Sequence, residues 1–204
     1  MPDCFGVKVH EKPDVGLLNK DYYLVTFCTH KKTLDVLKKF IESGIDIMPV
    51  LSENSCNIST RFGKAEDFVR NVEDITKKQI ISSIEESEKI GPNRNLEIMI
   101  IAPCTGNTLA KLANGISDTS VTMAAKAHLR NQKPLVIGLC TNDALSANLI
   151  NIGIMLNKKN VFFVPMYQDD TDMKPASLVC DMDLVMKTYE MALQRKQLQP
   201  VLFG

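Results

Sequence analysis

Apolar residues in this chain fall into short unbroken runs that alternate with stretches of helical periodicity. YYLVTF (22–27) has the character of a buried strand, and Leu34, Leu37, Phe40 and Ile41 then recur at helical spacing until Gly44 stops the helix. IDIMPVL (45–51) predicts the next strand, SENSCNISTRFGK (52–64) a polar loop, and Phe68, Val69, Val72 and Ile75 a helix. QIIS (79–82) reads as a short strand and IGPNRN (90–95) as a turn. EIMIIAP (97–103) is a strong strand; Leu109, Leu112, Ala113 and Ile116 mark a helix ending near Gly115, and another covers 120–131. PLVIGLC (134–140) and NVFFVP (160–165) predict two more strands, separated by a helix carrying Leu145, Leu149, Ile152 and Leu156. The polar stretch MYQDDTDMKPAS (166–177) leads to a final helix with Leu178, Met182, Val185 and Tyr189.

The strands are apolar throughout instead of alternating, so both sheet faces must be covered. Strand and helix take turns along the chain, which predicts a three-layer α/β fold: a Rossmann-like or flavodoxin-like, mostly parallel sheet with helices on both faces. Residues 1–20, with prolines, glycines and scattered charge, read as an irregular extension, and 21–204 as a single domain. Composition adds little: 45% hydrophobic and 24% charged residues argue against disorder. A formal net charge of zero gives no global pull toward nucleic acid or an anionic membrane. No run approaches the roughly 18 apolar residues of a membrane span. The start, MPDCFGVKVHEKPD, has no apolar core of a secretory signal, so a cytoplasmic location is expected. The six cysteines are widely spaced without a C-x-x-C and read as reduced thiols, most of them small buried hydrophobes.

In such a sheet, ligands bind beyond the C-terminal strand ends. That rule selects Cys28, Thr29 and His30 after the first strand, Ser52 after the second, Cys104, Thr105, Gly106, Asn107 and Thr108 after the central one, and Thr141, Asn142 and Asp143 after the next. In APCTGNTLAKLANGISD (102–118), Thr105 or Asn107 can cap a helix whose first-turn N–H groups suit a phosphate or carboxylate, and Gly106 would let a ligand approach the backbone. An ordinary cap on a packing helix explains the same residues. Arg61 and Lys64 lie in a polar loop that is either a solvated charged segment or a clamp for a substrate carboxylate. His10, His30 and His128 are scattered, and Cys28 with His30 supplies too few ligands for a metal site. Asp169, Asp170 and Asp172 read most simply as a solvated loop, with a metal or amine contact as the second reading. No G-x-G-x-x-G, Walker lysine loop or G-x-S-x-G elbow occurs.

The segment 102–118 resembles the PASANT segment of flavin-containing cysteine decarboxylases, with Pro103, Thr105, Asn107, Thr108, Lys111, Ala113, Gly115 and Asp118 on the pattern. Asn142 falls where those enzymes carry the asparagine of their Ala-Met-Asn motif, and residues 122–143 look like flavin prenyltransferases. Combined with TRFGKAED (60–67), KAHLRNQKPLV (126–136), FVPMYQDD (163–170) and KQLQPVL (196–202), the pattern is similar to the B-subunit family of bacterial dipicolinate synthases over residues 45 to 202. That resemblance implies oxidation of dihydrodipicolinate, or its hydroxylated precursor, to dipicolinate in a sporulating cell. An A-type partner subunit would supply the NAD(P) site, in keeping with the missing dinucleotide motif here. It further implies a flavin-like or phosphate pocket lined by Thr105, Asn107, Thr108 and Ser52, Arg61 on a substrate carboxylate, and a homo-oligomer, trimer or dodecamer.

The departures are specific. The family's first loop carries Gly-Ser-His before Cys-Thr; here Val25, Thr26 and Phe27 precede Cys28 and Thr29, which weighs against FMN binding. The decarboxylases use a histidine upstream of the proline that Pro103 matches, where this chain has Glu88, Lys89 and Ile90, so decarboxylation is not expected. Three functions follow in order: one of the B-type chains of the synthase, an independent FMN enzyme, and a non-catalytic oligomeric binding module.

Overall fold

A computed structural model describes residues 22–26, 31–60, 63–92 and 96–203. The elements are β1 (Tyr22–Thr26), α1 (Lys31–Glu42), β2 (Asp46–Val50), α2 (Glu53–Asn57), α3 (Ala65–Thr76), α4 (Ile84–Glu88), β3 (Leu96–Cys104), α5 (Gly106–Ala113), α6 (Ser120–Arg130), β4 (Leu135–Thr141), α7 (Leu149–Leu156), β5 (Val161–Phe163), β6 (Met166–Tyr167), β7 (Leu178–Cys180), a 3₁₀ turn (Met182–Leu184) and α8 (Val185–Leu193). The expected extension at 1–20 lies outside the described residues.

β2, β1, β3 and β4 pair in that order and in parallel, with β5 parallel on β4. The connection reverses direction between β1 and β3, the arrangement in which the loops at the C-terminal strand ends part to leave a crevice. Along β3 every residue but Glu97 is buried, which explains its unbroken apolar run. Its register against β4 shifts between Ile101 and Cys104, where Pro103 has no N–H to give the ladder. α8 lies over β3, β4 and β5 and against α1; α6 lies over β2, β3 and β4 with α5 beside it and α7 beyond. Phe40 of α1 meets Tyr189 of α8 edge-on at 5.3 Å, an aromatic contact that adds about 1 kcal/mol to the area it buries.

The expected α/β sheet is present, with differences in the connections: α4 is an added helix, and α7 starts at Leu149, beyond Leu145. The polar loop after β2 contains α2, five residues whose start is capped by Ser52 accepting from Ser55 N at 3.2 Å. Residues 79–82 contribute only an isolated bridge, Ile81 to Val50. The last helix starts at Val185, because Leu178 belongs to β7. β7 runs antiparallel to the C-terminal end of β4 and to β6, so the sheet is mixed. His128 is a packed histidine: it is 1% exposed, its Nε2–H donates to Pro134 O at 2.9 Å, and burial pushes its pKa down from 6.5 to about 4.

Candidate functional site

The C-terminal ends of the parallel strands open into a cleft of about 800 Å³. That volume lies within the usual range of small-molecule sites. One side is built by the loops of the parallel sheet: Lys32 at the start of α1, Ser55 and Thr60 after β2, Thr105 after β3, and Thr141 and Asn142 at the end of β4. The facing side is the β6–β7 ribbon and its loop, with Tyr167, Asp169, Lys174 and Cys180.

The α5 end of the cleft is tightly specified. Thr105 caps the helix, its hydroxyl accepting from Thr108 N at 3.3 Å and lying 3.1 Å from the Thr108 hydroxyl. Gly106 is buried, and an added Cβ would lie 2.5 Å from Thr141 Oγ1, 2.6 Å from Asn148 Nδ2 and 2.9 Å from Asp143 Oδ1. These three side chains form one network: Asp143 accepts from Thr141 at 2.5 Å and from Asn148 at 2.8 Å. The two bonds, Thr141's first, hold the Asp143 carboxyl below the ordinary carboxylate range. The space left by the missing side chain of Gly106 is therefore filled by the protein. The sequence predicts that Gly106 opens the backbone to a ligand; what it admits is an ionised carboxylate network that fixes the β4–α7 loop.

On the facing wall, Asp169 is exposed but anchored. It accepts from Ser177 at 2.7 Å and pairs with Lys174 at 3.0 Å, and these bonds, Ser177's first, keep its carboxyl ionised below the usual range. Tyr167 stacks on Phe203 at 5.5 Å, and Met166 bridges to Leu202, so the ribbon is held from behind by the 201–203 segment. Cys140 of β4 and Cys180 of β7 place their sulfurs 3.6 Å apart in the cleft wall.

Of the residues expected from sequence, the structure brings Thr105, Thr141 and Asn142 to the cleft. Ser52 stands one turn behind Ser55, 2.9 Å from its hydroxyl. Asn107 is exposed on the first turn of α5 and Thr108 beside it is half-buried; Cys104 is buried, its sulfur 3.6 Å from Thr105 O. Lys64 is exposed at the N-cap of α3 and does not line the cleft. Cys28, Thr29 and Arg61 lie outside the described residues, as do His10 and His30. Sequence reasoning missed the whole wall from Tyr167 to Met182. Its signal was short, the apolar triplet Leu178–Val179–Cys180 between Pro175 and Asp181. Among the described residues no group of three or more His, Cys, Asp or Glu side chains is arranged to hold a metal, and no helix is long and apolar enough to cross a membrane.

A flavin mononucleotide would need donors for its ring edges and a positive seat for its phosphate. Thr105 and Asn142 suit ring heteroatoms, whereas Thr141 gives its proton to Asp143. The N-terminus of α5 does not suit the phosphate, because the ionised Asp143 carboxylate lies 2.9 Å from the place a Cβ on Gly106 would take. The described residues do not fit FMN with its phosphate at that helix end.

Residues 28–197 match the family described as Flavoprotein. The B subunit of dipicolinate synthase from Bacillus subtilis (strain 168) is 43% identical over 175 residues, 86% of this chain and 88% of that protein. The crystal structure of the corresponding B subunit from Bacillus halodurans superposes with a TM-score of 0.80 at 37% identity, covering 90% of this chain and 95% of that one. The FMN-dependent cysteine decarboxylase SpaF shares the fold, with a TM-score of 0.62 at 17% identity over 87% of this chain and 98% of its own. The chain belongs to the flavoprotein family and groups within it with the B subunits of dipicolinate synthase.

Proposed function

We propose that this chain is the B component of a dipicolinate synthase, completing, with an A-type subunit, the enzyme that converts dihydrodipicolinate or its hydroxylated precursor to dipicolinate. The observation that carries the reading is the cleft itself. It joins the hydroxyls of Ser55, Thr60, Thr105 and Thr141 and the amide of Asn142 to the ammonium groups of Lys32, which pairs with Asp183, and Lys174, which pairs with Asp169. A small ring bearing two carboxylates needs such a set: hydroxyls and amides for its edges and cations for its charges. Arg61, which follows Thr60 in the sequence and lies outside the described residues, is the further cation expected for one carboxylate.

The chain's share of the reaction is to bind and orient. Asp169 is held ionised and paired with Lys174, so it is a poor proton donor near neutral pH. NAD(P) on the partner would accept the hydride that leaves when the ring becomes aromatic. A homo-oligomer is part of the reading. α7 exposes Leu149, Ile150 and Ile154, with Ile150 at 69% exposure, an apolar face of the kind that mates with a second copy.

Reconstitution tests the proposal. The purified chain, an A-type subunit, the dihydrodipicolinate precursor and NADP are combined, and product absorbance is followed beside the visible spectrum of the chain alone. Dipicolinate formed only with both components, from a colourless chain, is the expected result. A yellow chain with bound FMN, or a rate indifferent to this chain, would overturn it in favour of an independent flavin enzyme.

A further inference from the structure

The wall of the cleft contains chemistry that substrate binding does not use. Cys140 is half-buried near the end of β4 and lines the cleft; Cys180 ends β7, 4% exposed, on the neighbouring strand. Their sulfurs are 3.6 Å apart, and Met182 Sδ lies 3.6 Å behind Cys180. The contact depends on Gly138, where an added Cβ would come within 3.0 Å of the Cys180 sulfur. A disulfide needs the two sulfurs at about 2.05 Å, so closing the present gap asks for a displacement of about 1.5 Å in two short side chains.

We propose that Cys140 and Cys180 form a thiol–disulfide exchange site that takes low-molecular-weight disulfides through the cleft and closes to an intramolecular disulfide. The roles follow from position. Cys140 is reached from the cleft and attacks; Cys180, buried beside it, resolves. In the first step the Cys140 thiolate attacks one sulfur of R–S–S–R, the S–S bond breaks, and R–S⁻ leaves. In the second the Cys180 thiol gives its proton to R–S⁻ and its sulfur attacks the Cys140 sulfur, releasing a second thiolate that takes up a proton. The two cysteines lose two electrons and two protons in all, and R–S–S–R becomes two R–SH. Electrostatics run the same way. The Cys180 thiol donating to the Cys140 sulfur holds Cys140 below the ordinary thiol range, whereas that bond and then burial push Cys180 well above it. Cys56, by contrast, is raised by burial and by Glu73 and Glu53.

The test uses the reduced full chain, bis(2-hydroxyethyl) disulfide as oxidant, an alkylating quench and peptide mass mapping. The expected product is a Cys140–Cys180 cross-link, lighter by two hydrogens and reversed by dithiothreitol. Cys140, which faces the cleft, should react faster than Cys56. Cys180→Ser should retain the hydroxyethanethiol adduct on Cys140, and Cys180→Ala repeats that test should the serine variant fail to fold. Cys140→Ser should leave Cys180 unmodified. A cross-link to Cys28 or Cys104 instead, a wild-type adduct as persistent as the variant's, or a Cys140 no faster than Cys56 would overturn the assignment. The readout is mass, so it stands apart from whether the chain supports dipicolinate formation.

Discussion

Replacing Gly106 with alanine should damage the cleft by a route that local propensity does not foresee. Alanine in a helix is favoured over glycine by about 0.5–1 kcal/mol, so propensity alone predicts a gain. The structure predicts a loss. The new Cβ would overlap three atoms at 2.5–2.9 Å, and each belongs to a side chain already held in place. Thr141 and Asn148 both donate to Asp143, and Asn148 Oδ1 accepts from Asn151 at 2.9 Å. Relief therefore means lengthening hydrogen bonds to a carboxylate, worth about 1.5–3 kcal/mol each and here at the low end because the group is half-exposed. Overpacking adds about 1–3 kcal/mol. After subtracting the propensity gain, about 2–4 kcal/mol of destabilisation remains. Urea unfolding should show the midpoint falling by about 1–2 M with an unchanged slope. Asn148→Ala makes room, so the double variant should recover about 1 kcal/mol relative to additivity. A midpoint equal to or above wild type, or strict additivity, would refute the reasoning.

Two further predictions concern the interior and the surface. Burial lowers the His128 pKa from 6.5 to about 4, so the unfolded chain binds its proton at higher pH than the folded chain does. That stability is complete above about pH 6.5 and is lost as pH falls toward about 4, by roughly 3 kcal/mol at most; His128→Gln should flatten that part of a stability–pH profile, and an unchanged slope would show that other groups set it. Ile150→Lys, on the exposed face of α7, should shift sedimentation to a smaller species with the thermal midpoint of the protomer preserved, while an unaltered sedimentation coefficient would return α7 to solvent.

The sheet could be read from the chain because its strands report burial directly: LEIMIIAPC needs only its own composition to be recognised as a central strand. The strand ends that open into the cleft follow from the same reading, and Thr105, Thr141 and Asn142 line it. What escaped depends on pairing between distant segments. Leu178 stands four residues before Met182 and seven before Val185, a helical spacing, and only its antiparallel match to Thr141 makes it a strand residue. α2 has no apolar periodicity and exists through its Ser52 cap. α4 was legible in principle, since Ser83 and Glu86 form a capping box. Gly106 misled because a glycine at a helix start signals close approach without saying of what; here the neighbour is Asp143.

The stacked pair of Tyr167 and Phe203 gives the cleft its own optical reporter. The chain has no tryptophan and four tyrosines, so tyrosine emission is not drained by energy transfer to an indole. Tyr189 is buried between helices, whereas Tyr167 forms part of the cleft surface, with one ring face against Phe203. A ligand entering the cleft changes the solvent exposure of that phenol. Occupancy can therefore be titrated by intrinsic fluorescence, without label or coupled enzyme, and Phe203→Leu, which removes the stacking ring, provides the matching control.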